Sequence, residues 1–186
     1  MSMPGRSGPL RLLIGVSVIA LVVGLISLLN RWREGAALEM CPRTVARIGM
    51  FVQTYQMENG GALPPDLDAL QRYAQKEIGG DVRKLFACPY AKARGVAPKQ
   101  KGAVCMSSFV YVVPPGVTHY SKIKDPAETV CAYEPLEDHD GLGTPVLYWD
   151  GHSTWYDATE AKQIIDEVNA GRNPPQAERS TRGTEE

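Results

Sequence analysis

Residues 12–29 read LLIGVSVIALVVGLISLL, eighteen positions without a charged side chain. As a helix rising 1.5 Å per residue the run is about 27 Å long, against a bilayer hydrocarbon core of about 30 Å. Backbone groups in lipid find no water to bond, so a spanning segment must satisfy them within a helix. Two alternatives compete. A cleaved signal peptide carries a shorter apolar core followed at once by small residues, whereas this run ends on Asn30-Arg31-Trp32-Arg33. The other alternative is a buried core helix. The sequence predicts a single-pass anchor at 12–29, with Trp32 as an anchor at the membrane interface. Arg6 and Arg11 precede the run and Arg31, Arg33, Arg43 and Arg47 follow it, so basic residues alone do not orient it. The short segment 1–11 is assigned to the cytoplasm, which places residues 30–171 outside it, in the periplasm or its equivalent.

Charge divides along the same line. Residues 1–33 hold four arginines and no acid; the remainder holds 16 basic and 21 acidic residues, a net charge of −5. Clustered Lys and Arg are what neutralise phosphates, so nucleic acid is excluded as a partner.

Beyond Arg33 the apolar residues Leu38, Cys41, Val45, Ile48, Val52 and Tyr55 recur at steps of three and four, one stripe of a continuing helix. Arg43, Arg47, Gln53 and Gln56 are assigned to its polar side, and Pro42 marks a bend or a new start. Asn59-Gly60-Gly61 ends the helix. A second helix follows Pro64-Pro65-Asp66, with Leu67, Leu70, Ala74 and Ile78 on one face, and stops at Gly79-Gly80. Residues 88–105 read as a loop. Four strands are expected at 108–113, 128–133, 145–149 and 152–156, the last two joined by the turn motif Asp150-Gly151. Trp149, Trp155, Tyr148 and Tyr156 gather in that hairpin, and alternation would bury one pair and expose the other. Asp157 caps a last helix, with Glu160 in capping-box position. Residues 172–186 lack the apolar content to fold and are expected to be disordered. The fold class is α+β: a long N-terminal helix packed on a small antiparallel sheet of about four strands, plus a C-terminal helix.

The four cysteines, Cys41, Cys88, Cys105 and Cys131, permit three disulfide connectivities, or buried free thiols. Cys88 and Cys105 bracket the 88–105 loop and are the favoured pair, a closure of on the order of 3 kcal/mol under the chain-entropy account. No CxxC spacing announces zinc. Cys131 lies in an apolar strand, which suits burial better than nucleophilic chemistry. His119, His139 and His152 sit on separate loops and are not expected to share a metal. No nucleophile elbow, phosphate loop, HExxH or Ser/His/Asp order is present, and no catalytic residue or organic cofactor is assigned.

The order of elements resembles type IV pilins and the pseudopilins of type II secretion. The stretch 41–66, CPRTVARIGMFVQTYQMENGGALPPD, is similar to the end of their long helix, which closes on an Asn/Gly turn before Leu-Pro-Pro. DPAETVCAYE at 125–134 and VLYWDGH at 146–152 resemble the pilin-like group with a C-terminal His-x9-Asp-Gly motif, although His139 here precedes Asp150 by ten intervening residues. The resemblance implies a pilin-like fold and a structural role, with partners among other pilin-like or secretion-system proteins in the inner membrane. The rival expectation is an anchored binding module for an envelope partner or ligand. The family's processing site, a Gly and then a Glu five places into the mature chain, is missing: counting from Gly8, that position is Leu13 and the first mature residue is Pro9. An uncleaved, permanently anchored relative is therefore expected. Glu134, Glu137, Asp138 and Asp140 offer oxygens to a hard cation. Because some pseudopilins hold calcium in a C-terminal loop, the resemblance makes calcium the candidate ion there, against a solvated acidic loop.

Overall fold

The computed structural model describes residues 8–176, with side chains from residue 19 onward. It opens on one helix, α1 (Gly8–Glu58), which runs through Pro42 without a break. The predicted stripe is its packed face: Cys41, Val45, Ile48 and Val52 are at most 2% exposed. Each aliphatic member contributes about 1.5–3 kcal/mol by leaving water. Gln56 is a correction, since it is buried too. It lies four residues after Val52, and helical register carries it onto the apolar face despite its amide. α1 ends where Gly60 takes a left-handed φ of 64°.

α2 (Leu67–Ile78) matches its expected bounds. The Asp66 side chain accepts from the Ala69 N–H at 2.7 Å, and Gly79 closes the helix with φ 65°. The 88–105 segment is more ordered than a loop. It holds α3 (Pro89–Ala93) and β1 (Gln100–Lys101), which pairs antiparallel with β2 (Met106–Ser107). Pro89 pre-sets the first helical turn, and the Cys88 sulfur accepts the Ala91 N–H, so residues that look like punctuation start a helix.

The main sheet runs β3 (Val110–Tyr111), β4 (Val130–Tyr133), β5 (Thr144–Tyr148), β6 (Ser153–Tyr156) in that spatial order, every neighbour antiparallel. β3 starts later than the expected 108, where the Ser108 N–H turns away to Phe86 O, and it ends at Tyr111 although the Val112 N–H still donates to Cys131 O. α1 and α2 cover one face, and α4 (Ala158–Asn169) covers the other with Ile164 and Val168. A register slip between Val130 and Ala132 turns both Cys131 and Ala132 toward the α1 side. With both faces covered, the expected split of the aromatic hairpin fails: Tyr148 and Trp149 are both buried, and Trp155 and Tyr156 are half-buried. Asp150-Gly151 forms the expected turn and is tied to α1 by Gln53 Nε2 donating to Asp150 O at 2.7 Å. Gly151 has φ 93°, and a Cβ there would meet the Gln53 amide.

Asp157 caps α4, accepting from the Thr159 and Glu160 N–H groups. Past α4 the chain stays docked at first. Asn173 accepts from the Val130 N–H and donates to Val130 O, both at 2.8 Å, so its amide stands in for a strand peptide. The rest of the expected tail, 177–186, lies outside the described residues. So do the side chains of residues 12–18 in the expected span. No helix among the described residues is long and apolar enough to cross a membrane.

Candidate metal centre

Four separated segments converge where α1 meets the domain. Cys41 is the first fully buried residue of α1 among those described, and its Sγ lies 3.5 Å from Cys88 Sγ. Cys88 precedes α3; its sulfur accepts the Ala91 N–H at 3.3 Å, and its own N–H donates to Ser108 Oγ at 3.0 Å. Glu134 leaves the end of β4 with its carbonyl held by Thr144 Oγ1 at 2.7 Å. The 3-10 turn Leu136–His139 then folds back, closing at Asp140 in a left-handed conformation, φ 55°. That reversal lays His139 Nε2 2.8 Å from Glu134 Oε2 and 3.5 Å from Cys88 Sγ. One donor atom from each of the four residues lies within 4.8 Å of all the others, and all four residues are buried.

Aromatic packing sets the imidazole plane. Tyr90 stacks on His139 at 5.8 Å and 20°, while Trp155 meets it edge-on at 5.3 Å and 77°. The Arg94 guanidinium sits over Tyr90 and pairs with Asp140, bracing α3 against the reversal.

Glu134 is fully buried, yet neither carboxylate oxygen receives an aligned hydrogen bond, despite the short approach of His139 Nε2. His139 Nδ1 is also without a partner. Burial by itself would lower the His139 imidazolium; the contacts with Cys88 and with the Glu134 carboxylate outweigh it and raise the group to about 9. Hydrogen bonding to Cys41, followed by burial, pushes the Cys88 thiol far up. A thiol held protonated is a poor nucleophile. Two sulfurs, an imidazole and a carboxylate are instead a donor set for a transition-metal dication. A cleft of about 430 Å³ lined by Arg83, Lys84 and Lys92 reaches Cys88 from outside, but Cys88 is only 1% exposed, so no donor is open to a substrate.

The expected site residues are distributed differently. Cys88 and Cys105 are both free: Cys105 is tied to Gln71, whose Oε1 accepts its N–H and whose Nε2 donates to its carbonyl, each at 3.0 Å. The sulfur facing Cys88 is that of Cys41. Cys131 is fully buried in β4, and burial drives its thiol well up. The four carboxylates proposed for calcium do not converge. Glu137 lies near Lys99, Asp140 pairs with Arg94, Glu134 turns inward to His139, and Asp138 is buried with its carboxyl raised chiefly by that burial. The 3-10 turn Leu136–His139 spreads successive side chains around its axis, so the four carboxylates point in different directions. His119 closes on Gly60 O at 2.8 Å, and His152 stacks on Tyr148 and contacts Asp150; neither approaches His139's cluster. Cys41 and His139 escaped sequence reasoning as partners. The one local signal was Glu134 and His139 five apart, astride a proline at the end of a strand.

Comparison with known proteins finds no matching family model, curated protein or solved structure.

Proposed function

We propose that this is a membrane-anchored, pilin-like structural protein serving in or beside a secretion or pilus-like assembly, with its domain outside the cytoplasm and no catalytic role. The observation that carries the reading is the state of the N-terminal half of α1. Ile19, Leu21, Val22, Val23, Leu25, Ile26, Leu28 and Leu29 are each 46–72% exposed, on every side of the helix, with no part of the domain against them. A helix surface apolar all round is a poor solute in water and a good one in lipid or among like helices. The uncharged sequence continues back to residue 12. Trp32, 76% exposed between two arginines, suits a lipid headgroup boundary. The packed half of α1 then acts as the domain's spine, so that whatever grips the anchor also positions the sheet.

Crosslinking and affinity recovery from membranes, comparing the full chain with one beginning at Arg33, tests this. Secretion or pilus components should be recovered with the full chain alone. The same partners with both forms, or none with either, would replace assembly through the helix with an anchored binding module acting through its domain.

A further inference from the structure

We propose that Cys41, Cys88, Glu134 and His139 bind one zinc ion in a closed, structural, four-coordinate site. The inference is independent of whether α1 is anchored in lipid.

Three of the six donor separations are close to tetrahedral edges, and all six are within 4.8 Å. Metal–sulfur bonds of about 2.3 Å and metal–nitrogen or metal–oxygen bonds of about 2.0 Å imply edges of about 3.7 Å between sulfurs, 3.5 Å between sulfur and nitrogen, and 3.3 Å between nitrogen and oxygen. The corresponding separations are 3.5, 3.5 and 2.8 Å. An ion at the centre requires Glu134 to withdraw from His139 by about 0.5 Å and the sulfurs to part slightly, movements within side-chain reach.

The donor set selects the metal. Calcium takes six to eight oxygens and has no use for thiolates. Zinc accepts sulfur, nitrogen and oxygen together and has no geometric demand beyond four-coordination. Ligation takes both cysteines as thiolates and His139 as the neutral imidazole, so the two thiol protons and the proton on His139 Nε2 leave as the ion enters. Two thiolates, a carboxylate, a neutral imidazole and a dication sum to −1, and the Ala91 N–H already points at the Cys88 sulfur.

The rival is a Cys41–Cys88 disulfide, because the two sulfurs already face each other. A disulfide would oxidise both thiols and leave the buried Glu134 carboxylate with His139 alone. It explains neither why a carboxylate without an aligned donor nor why an imidazole points at the same spot. Zinc uses all four groups at once. Its location also has a consequence. The ligands come from α1, from the residue before α3, from the end of β4 and from the following turn, and Cys41 lies where α1 passes from free helix to packed helix. Zinc there would weld the helix to the domain at its exit point.

The test uses the full chain in detergent. Inductively coupled plasma mass spectrometry should find one zinc per chain, and native and denatured masses should differ by that ion with all four thiols intact. Cobalt exchanged for zinc should give the strong visible bands of a tetrahedral thiolate site. Cys41→Ser, Cys88→Ser and His139→Ala should each abolish stoichiometric binding, and Glu134→Gln should weaken it and shift the cobalt bands; Cys105→Ser and Cys131→Ser should leave both unchanged. Should a ligand variant fail to fold, the wild-type cobalt spectrum still decides. A chain two hydrogens lighter, with Cys41 joined to Cys88 and no metal, overturns the proposal. So do four free thiols that take up neither zinc nor cobalt, or ligand variants that fold and keep their zinc.

Discussion

The packed half of α1 is held at two places by opposite chemistry. At residues 45–52, Val45, Ile48 and Val52 lie in one apolar cluster with Phe86, Leu147 and Trp149. One turn earlier the same helix offers Cys41 to a sulfur, an imidazole and a carboxylate that are equally buried. Burial of the first set is favourable under any ionic condition. Burial of the second costs free energy unless charge is matched inside it. Buried surface and stabilisation are separate quantities: one grip on α1 is unconditional, while the strength of the other turns on whether an ion ligates its donors.

Chelation should separate them most widely. With free zinc a thousandfold above its dissociation constant, the folded chain gains about 4 kcal/mol over the stripped form, a Tm difference of roughly 10 °C or more. Differential scanning calorimetry with and without chelator measures it. Equal Tm values would mean that the polar grip is as unconditional as the apolar one.

A change in the apolar grip should act without regard to metal. Leu147 is fully buried against α1, and Leu147→Ala should cost about 3 kcal/mol through lost burial and the cavity left behind. Denaturant unfolding of zinc-loaded and stripped protein should give the same loss in both. A loss that appears only with zinc bound would show the two grips to be one cooperative unit. Overpacking the same contact is milder. A Cβ on Gly49 would lie 2.8 Å from Leu147 Cδ1, and Gly49→Val should cost about 2 kcal/mol. Combined with Leu147→Ala it should cost less than the two separately, since the truncated side chain vacates the space; a double-mutant cycle by urea unfolding reads that coupling.

The same contrast explains what could be read in advance. The apolar stripe was legible because a helix repeats it: Cys41, Val45, Ile48 and Val52 follow from one period. Asp150-Gly151 and the Asp66 and Asp157 caps were legible because turn and cap chemistry acts within a few residues. Gln56 is buried because helical register places it on the stripe whatever its polarity. The five-residue α3 is shorter than any periodicity can detect. The polar cluster was illegible for another reason. Its donors come from positions 41, 88, 134 and 139, brought together by a crossing of α1, α3 and the turn after β4 that no spacing encodes. Cys41 was read correctly as a stripe member, and nothing local shows that a stripe position also faces an imidazole. Nearby acids drew attention to oxygen ligands at Glu137 and Asp140, which in the fold pair with Lys99 and Arg94.

The smallest effect probes how far each grip extends. Asp157 caps α4, which packs on the sheet face opposite α1 through Ile164 and Val168. Asp157→Ala leaves the Thr159 and Glu160 N–H groups without their side-chain acceptor and removes a negative charge from the positive end of the helix. The expected cost is about 1 kcal/mol. Because α4 supplies no donor to the cluster and no side chain to the Gly49–Leu147 contact, that cost should be the same in zinc-loaded protein, in stripped protein and in the Leu147→Ala background. Urea unfolding in the three settings checks it. Three equal losses would confine the conditional grip to the exit point of α1. A larger loss with zinc bound would mean that the ion's constraint reaches through the sheet, from the β4 end that carries Glu134 to the helix packed behind it, and that the whole domain answers to the metal.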